Sequence, residues 1–234
     1  MVKLLVNGMA GNCGYNGLHG WETEASMAVS DSAYREAIAA QAEQELRALE
    51  ARGVWMAGNG YSPILAVKGR MGETERAGGE LLGGADGEAL RAALQAIGWA
   101  PEDFCALAAC ADGAASSAPD ADAATPEATV APDAVPAGEP LPTSLFREAV
   151  EALDPEAVVL LDDAAADAMR EAYADALVQV EDFNAAMLQP GLVVPVLGRR
   201  VLALDGFEAA LADAHKKQVA WAYLKQLTPL GAPY

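Results

Sequence analysis

The sequence predicts an α/β protein, in the form of a three-layer α/β/α sandwich around a central, mainly parallel four-stranded sheet. Short apolar runs alternate with amphipathic helical segments, which is typical of strands connected by helices. The first of these runs, PILAVKG, ends in a glycine-rich loop, as a buried parallel strand does where it turns towards a helix. The chain has 234 residues and is 53% hydrophobic, so its apolar content is ample for a core.

An N-terminal extension over residues 1–54 precedes this domain. Its MVKLLVNG run favours core packing, although an edge strand or a contact with a partner also fits the pattern. An ordinary amphipathic packing helix is predicted from about residue 32 to residue 53. Its inward side carries Tyr34, Ile38, Ala42, Leu46 and Leu49. The extension contains no convincing signal peptide or membrane span, so we expect a cytoplasmic protein without a membrane partner.

The main domain is expected over residues 55–227, with a short tail over 228–234. Strands are predicted in PILAVKG, FCALAAC, AVVLLDD and VVPVLGRRVLAL. Two helices are predicted to begin at the caps Asp86 and Ser144 and to end near Gly98 and before Pro155. A terminal helix is expected from about residue 207 to residue 227. Because strand, helix and strand repeat along the chain, parallel pairing is favoured.

Residues 111–140 are predicted to be a flexible acidic insertion within the main domain. They are rich in Ala, Pro and Asp, contain no Lys or Arg, and show no apolar period. A neutral insertion is the favoured interpretation. Screening of a binding groove and tethering of a partner remain alternatives.

The formal net charge of -19 argues against strong nonspecific DNA binding. Such binding depends on lysine and arginine contacts to phosphates. A local exception is the loop after the first main-domain strand, where Lys68, Arg70 and Arg76 cluster and are candidates for holding one anion. Ordinary solvated charges are the favoured interpretation of these residues.

Carboxylates follow two of the predicted strands. Glu73 and Glu75 lie in the first loop, while Asp162 and Asp163 end the AVVLLDD strand. A pair of carboxylates at a strand end could bind a divalent metal or act as a general base. Asp163 is also a natural cap for the next helix, and that interpretation is favoured. We therefore predict no metal site.

Three segments resemble uracil-DNA glycosylases, and most closely the iron–sulfur-type bacterial and archaeal family. These segments are VKGRMGETE, GELLGGADG and the stretch from Leu211 to Trp221, and the resemblance covers roughly residues 55–227. The matching positions are Val67, Gly72, Glu75, Gly79, Gly84, Gly87, Leu211, Asp213, Lys217 and Trp221. The resemblance implies a uracil-DNA glycosylase-like fold.

The residues that carry the family's chemistry are changed. Gly69 stands where the family has an acidic residue associated with the attacking water, and Leu82 replaces the phenylalanine that stacks on the flipped uracil. Ala106 stands for the asparagine that reads the base, and Gly206, beside Asp205, stands for the catalytic histidine. The resemblance implies a ligand pocket at Gly69, Arg70, Met71, Gly72, Leu82, Ala106 and Gly206.

The chain also lacks cysteines that the family uses to bind its cluster. Family members bind a four-iron, four-sulfur cluster through four cysteines, whereas this chain has Cys13, Cys105 and Cys110. Cys110 matches a ligand position, and Pro142 stands about where another ligand would be. We predict no cluster and no other cofactor, with the cysteines as reduced, mostly buried thiols.

Taken together, these features predict a divergent uracil-DNA glycosylase-like protein without base-excision activity that acts as a binding or interaction module. One alternative is a DNA glycosylase or nucleotide-processing enzyme with relocated carboxylates, for which Glu73, Glu75 and Asp205 are the candidates. Another is an acidic protein-binding partner of a DNA repair or replication factor.

Overall fold

The computed structural model describes residues 20–100, 104–111 and 135–229, with side chains described for residue 34 and from residue 36 onwards. The MVKLLVNG run, Cys13 and most of the acidic insertion lie outside the described residues. The chain divides into two compact units, residues 1–43 and residues 44–234. Helix α1 (Gly20–Ala51) begins in the first unit and ends in the second. Of the helices within the described ranges, none combines the length and apolar character needed to cross a membrane.

The second unit is an α/β structure built on a mixed six-stranded sheet. The strands are β1 (Val54–Gly58), β2 (Ile64–Lys68), β3 (Cys105–Ala111), β4 (Ala157–Leu160), β5 (Val193–Val196) and β6 (Arg199–Ala203). Their order is β1-β3-β2-β4-β6-β5. The four inner strands pair in parallel, and β1 and β5 join the two edges antiparallel.

The sheet therefore has six strands where the sequence predicted four. The VVPVLGRRVLAL run, taken as one stretch of strand material, is a hairpin of β5 and β6. Leu197 and Gly198 turn this hairpin with φ values of 47° and 86°, a pair of positive angles that suits a tight hairpin turn. The other added strand, β1, is the short apolar run VWMAG, which the sequence prediction did not assign as a strand and whose residues are mostly half-buried.

Eight helices follow α1 within the described residues. They are α2 (Glu73–Arg76), α3 (Ala85–Ala96), α4 (Thr143–Leu153), α5 (Asp163–Ala172), α6 (Ala174–Leu177), α7 (Phe183–Ala186), α8 (Phe207–Ala210) and α9 (Ala214–Leu224). The predicted cap Asp86 lies inside α3, whose N-cap is Gly84, and Ser144 lies inside α4, whose N-cap is Pro142. The terminal helix is broken where Asp213 caps α9 with bonds from two backbone amides.

Both faces of the sheet are covered by apolar residues, because neighbouring positions along each inner strand join different clusters. On β2, Leu65 and Val67 belong to a cluster that includes residues of α4 and α5. Ile64 and Ala66 belong to a second cluster that includes residues of α3 and α9. Burial on both faces explains why these strands are continuous apolar runs rather than alternating ones.

Helix α1 departs from the packing that its pattern predicted. Leu49 is buried and Leu46 packs partly against the core, as expected for an inward side. Tyr34 and Ile38, placed on that same side by the helical period, are 66% and 51% exposed. Within the second unit, the apolar period of this helix therefore agrees with the burial of Leu46 and Leu49.

Candidate functional site

A pocket of about 500 Å³ opens at the edge of the sheet where the parallel strands β2, β4 and β6 end. Its walls come from the connections that follow these three strands. In α/β sheets this edge commonly holds ligands, because neighbouring connections diverge there. We call this cavity the edge pocket. Its charged lining residues are Lys68, Arg70, Glu73, Arg76, Asp86, Asp162, Asp163 and Glu208.

Lys68, the last residue of β2, is the centre of a buried charge cluster. Its Nζ lies 2.8 Å from Glu75 Oε1, 2.6 Å from Asp86 Oδ2 and 3.3 Å from Glu208 Oε2. The side chains of Lys68, Glu75 and Asp86 are at most 8% exposed, whereas that of Glu208 is 54% exposed. An ammonium group has three donors, and here three carboxylates face it. We call Lys68, Glu75, Asp86 and Glu208 the Lys68 cluster.

Lys68 stays charged in this setting. Burial by itself lowers the pKa of Lys68, but the hydrogen bonds to Asp86 and Glu75, reinforced by their negative charges, outweigh burial and raise the pKa overall. The ammonium is therefore directed at protein carboxylates. The favoured interpretation of Lys68 as an ordinary solvated charge is wrong, since its side chain is 3% exposed. This geometry does not favour the alternative either, in which Lys68 would hold an external anion.

Glu75 links the cluster to the backbone around the pocket. Its Oε2 accepts a hydrogen bond from the Gly72 amide at 2.9 Å, and its Oε1 accepts one from the Leu82 amide at 3.1 Å. The second bond helps to hold Leu82 at a φ of 54°, a value that side-chain-bearing residues rarely adopt. With Lys68 as a further partner, the Glu75 carboxylate is committed to positioning the loop.

Asp162 joins two walls of the edge pocket. Its Oδ1 accepts from the Ala165 amide at 2.8 Å and so caps α5. Its Oδ2 accepts from the amides of Gly69 and Arg70 at 3.0 and 2.8 Å, which fixes the loop after β2. The prediction that Asp163 caps α5 is therefore wrong, since the cap is Asp162 and Asp163 is the first residue of the helix. Three backbone donors leave Asp162 poorly placed to serve as a general base.

Gly69 is required by this close approach. A Cβ atom at this position would lie 2.5 Å from the Ala165 amide nitrogen and 2.6 Å from Asp162 Oδ1. The clash with Ala165 involves the backbone of α5, so a change of side-chain rotamer cannot relieve it. No side chain fits there without displacing α5. The absence of an acidic residue at position 69 thus has a local steric reason in this chain.

The outer part of the pocket is exposed and charged. Arg70 and Asp163 form an ion pair with Nη2 and Oδ2 2.5 Å apart, although their side chains are 70% and 64% exposed. Glu73 and Arg76 also line this part. The lining contains three cationic and five anionic side chains, so its net charge is negative like that of the whole chain. A nucleic-acid phosphate would meet more repulsion than attraction here.

The predicted pocket residues separate into three groups. Arg70, Met71, Gly72 and Gly206 line the edge pocket, so segments that are distant in the sequence meet there. Gly69 borders a neighbouring cavity of about 440 Å³, which also contains Met71 and Cys110. Leu82 and Ala106 are 0% exposed and lie in the apolar core.

The candidate catalytic carboxylates are likewise dispersed. Glu73 faces the edge pocket, whereas Glu75 is buried in the Lys68 cluster. Asp205 borders a separate cavity of about 220 Å³ that is also lined by His215. Groups that act on one reacting atom must reach it together, and these three carboxylates do not share a cavity.

Sequence reasoning missed the roles of Asp86 and Glu208. A signal for the first was present: Lys68 ends a strand of otherwise apolar residues, and a buried lysine needs carboxylate partners. That signal does not identify the partners. Asp86 was interpreted as a helix cap, and Glu208 had no distinguishing local pattern.

Cys105 and Cys110, the cysteines of the described part of the chain, are not joined by a disulfide. Cys105 is buried in β3 and Cys110 is partly exposed. Burial raises the pKa of the Cys105 thiol to about 12, so it remains protonated at neutral pH. Among the described residues, no group of three or more His, Cys, Asp and Glu side chains is placed to hold a metal ion. The expectation that the protein has no cluster and no other cofactor stays a prediction.

Comparison with protein-family models found no match, and comparison with curated proteins found no significant similarity.

Proposed function

We propose that this chain is a divergent uracil-DNA glycosylase-like domain in a three-layer α/β/α arrangement, without base-excision activity, that serves as a binding or interaction module. Support for the fold comes from the four parallel inner strands and from the apolar clusters on both faces of the sheet. Support for the motif alignment comes from Arg70 and Gly206, which belong to different motifs and line one pocket.

The single observation that carries the loss of excision is the burial of Leu82 and Ala106. In the family these positions stack on the uracil and read its edge, which requires that both face the pocket. Here both side chains are 0% exposed and pack into the apolar core. Gly206 adds no side chain where the family has its histidine, so the leaving base would lack an imidazole to stabilise its charge.

The pocket that remains differs chemically from a base-binding pocket. Lys68 and Asp162 are saturated by the protein's own groups, so the inner wall of the edge pocket is fixed. The outer wall offers exposed charged side chains of both signs, including Arg70 and Glu208. Such a wall suits reversible polar binding. Of the three carboxylates considered for the catalytic alternative, only Glu73 lines the edge pocket.

A single-turnover excision assay tests the proposal. Single-stranded and duplex oligonucleotides containing uracil, hypoxanthine or xanthine would be incubated with excess protein, beside an active uracil-DNA glycosylase as positive control. We expect no cleavage by the wild type. Cleavage that is lost in Glu73→Gln or Asp205→Asn and kept in Glu148→Gln, which alters an exposed carboxylate of α4 outside the edge pocket, would instead establish a relocated active site.

A further inference from the structure

Exposed apolar side chains recur along the segment that contains α6 and α7. Val178 is 74% exposed, Phe183 75% and Met187 37%. The Met187 amide donates to the Phe183 carbonyl oxygen at 2.9 Å, so these two residues are separated by one helical turn and lie on the same side of it. We call Val178, Phe183 and Met187 the α6–α7 surface.

This exposure does not come from a loosely attached segment. Leu177 and Leu188, at the two ends of the segment, are 4% and 2% exposed and belong to the apolar core. Asp182 caps α7 by accepting from the Ala185 amide at 2.9 Å. The outward side chains are therefore presented by an anchored backbone, which lowers the conformational entropy lost when a partner binds.

The surroundings of this surface are acidic. Residues 171–191 contain no lysine or arginine and carry four carboxylates: Glu171, Asp175, Glu181 and Asp182. The preceding Arg170 is engaged, because it donates to the Met187 carbonyl oxygen and pairs with Asp167. Arg147 reaches the segment from α4 and pairs with Asp175 at 2.9 Å. An apolar surface in such surroundings is complementary to a partner that is both apolar and basic.

We propose that the α6–α7 surface binds a basic, amphipathic segment of another protein, with the partner's apolar side on Phe183 and its cationic side towards the neighbouring carboxylates. A second copy of this chain would bring acidic groups against acidic groups, since each copy carries a formal charge of -19. An anionic membrane would be repelled for the same reason. None of the residues that line the edge pocket lies between 174 and 191. This inference therefore holds whether or not the protein excises bases.

The test is a binding titration by fluorescence anisotropy, using the full chain and a labelled helical peptide of leucine and lysine with the leucines on one side. We expect binding that weakens about tenfold or more in Phe183→Ser, because truncation of a central aromatic anchor has effects of this size. The matched control is Tyr61→Ser, which removes a 57% exposed aromatic ring from the connection between β1 and β2 and should leave affinity unchanged. A peptide with serine in place of leucine should bind more weakly and should not distinguish the two variants.

The proposal is overturned if the peptide does not bind, or if Phe183→Ser and Tyr61→Ser lose affinity equally. Wild-type dimerisation relieved by Phe183→Ser would assign the surface to a second copy, and binding to phosphatidylcholine–phosphatidylserine vesicles lost in that variant would assign it to a membrane. If Phe183→Ser shifts the melting temperature, Glu181→Lys provides a second variant, and it must weaken peptide binding at low salt for the proposal to stand.

Discussion

Lys68 at the end of β2 and Arg70 in the loop that follows it show how differently an ion pair acts in the inner and outer parts of the edge pocket. The closest carboxylate oxygens lie 2.6 Å from Lys68 and 2.5 Å from Arg70, so the two contacts are equally short. The Lys68 side chain is 3% exposed and that of Arg70 is 70% exposed. Water screens the outer pair and scarcely reaches the inner one, so burial, and not distance, decides what each pair contributes.

The largest effect is expected from Lys68→Met. This change leaves the carboxylates of Glu75 and Asp86 buried without their counter-ion, and breaking a buried ion pair in this way costs about 3–5 kcal/mol. Urea unfolding followed by circular dichroism would measure the loss. If Lys68→Met unfolds at nearly the wild-type urea concentration, the Lys68 cluster is not the stabilising centre that its geometry indicates.

Two controls sharpen this comparison. Arg70→Gln removes the exposed cation of the loop that follows Lys68 and should change the free energy of unfolding by less than about 0.5 kcal/mol. The double variant Lys68→Met with Asp86→Leu removes one of the buried carboxylates together with the lysine, so it should recover part of the lost free energy of unfolding. A double variant that is less stable than Lys68→Met would show that Asp86 stabilises the fold by some route other than its pairing with Lys68.

A smaller loss is expected from Asp162→Ala. The substitution removes the cap of α5 and the acceptor for the Gly69 and Arg70 amides, and together these hydrogen bonds contribute about 2–3 kcal/mol. Asp162→Asn should be milder, because an amide oxygen still accepts a hydrogen bond. Urea unfolding of both variants beside Asp163→Ala, which is expected to be nearly neutral, checks the assignment. A larger loss in Asp163→Ala would contradict it.

A decline in the stability of the unsubstituted protein is expected at alkaline pH. The raised pKa of Lys68 means that its stabilising charge is fully present below the ordinary lysine value of 10.5 and is lost as the pH rises through the raised pKa. The buried Cys105 thiol acts in the same direction between its ordinary pKa of 9.0 and its folded pKa of about 12, because only the unfolded chain ionises there. Between its two pKa values the Cys105 thiol contributes a slope of about 1.4 kcal/mol per pH unit.

Chemical denaturation at several pH values above 9 would follow this decline. The Cys105→Ala variant should lose stability less steeply than the wild type between pH 9.0 and about 12. Identical slopes for the two proteins would show that the Cys105 thiol ionises equally well in the folded and unfolded chain.

Much of the domain could be predicted from the sequence where local patterns are strong. The strand that ends at Lys68, the strand around Leu107 and the helix that ends before Gly98 all lie where apolar runs and helical periods indicated. Caps were less predictable. Asp86 and Asp162 are both acidic residues beside a helix start, yet only Asp162 caps its helix, because Asp86 faces Lys68.

For the candidate site, the resemblance implied a set of pocket residues that the structure only partly brings together. The resemblance indicated that the loop after β2 and Gly206 meet at one pocket, and both line it. It also implied that Leu82 and Ala106 face that pocket, whereas both are in the core. Leucine and alanine carry no polar side-chain atom, so both can be buried in the apolar core without leaving a hydrogen-bonding group unpaired.

The sequence by itself determined the alternation of apolar strands with helices, because each periodic pattern is local and needs no distant partner to be recognised. It also determined the net charge of -19 and hence the kind of partner that the surface repels. Only the tertiary structure decided which carboxylates neutralise Lys68, since Asp86 lies 18 positions away and Glu208 comes from the opposite end of the domain. A buried charge is satisfied by whichever groups the fold brings within reach, and that is a property of packing rather than of any local pattern.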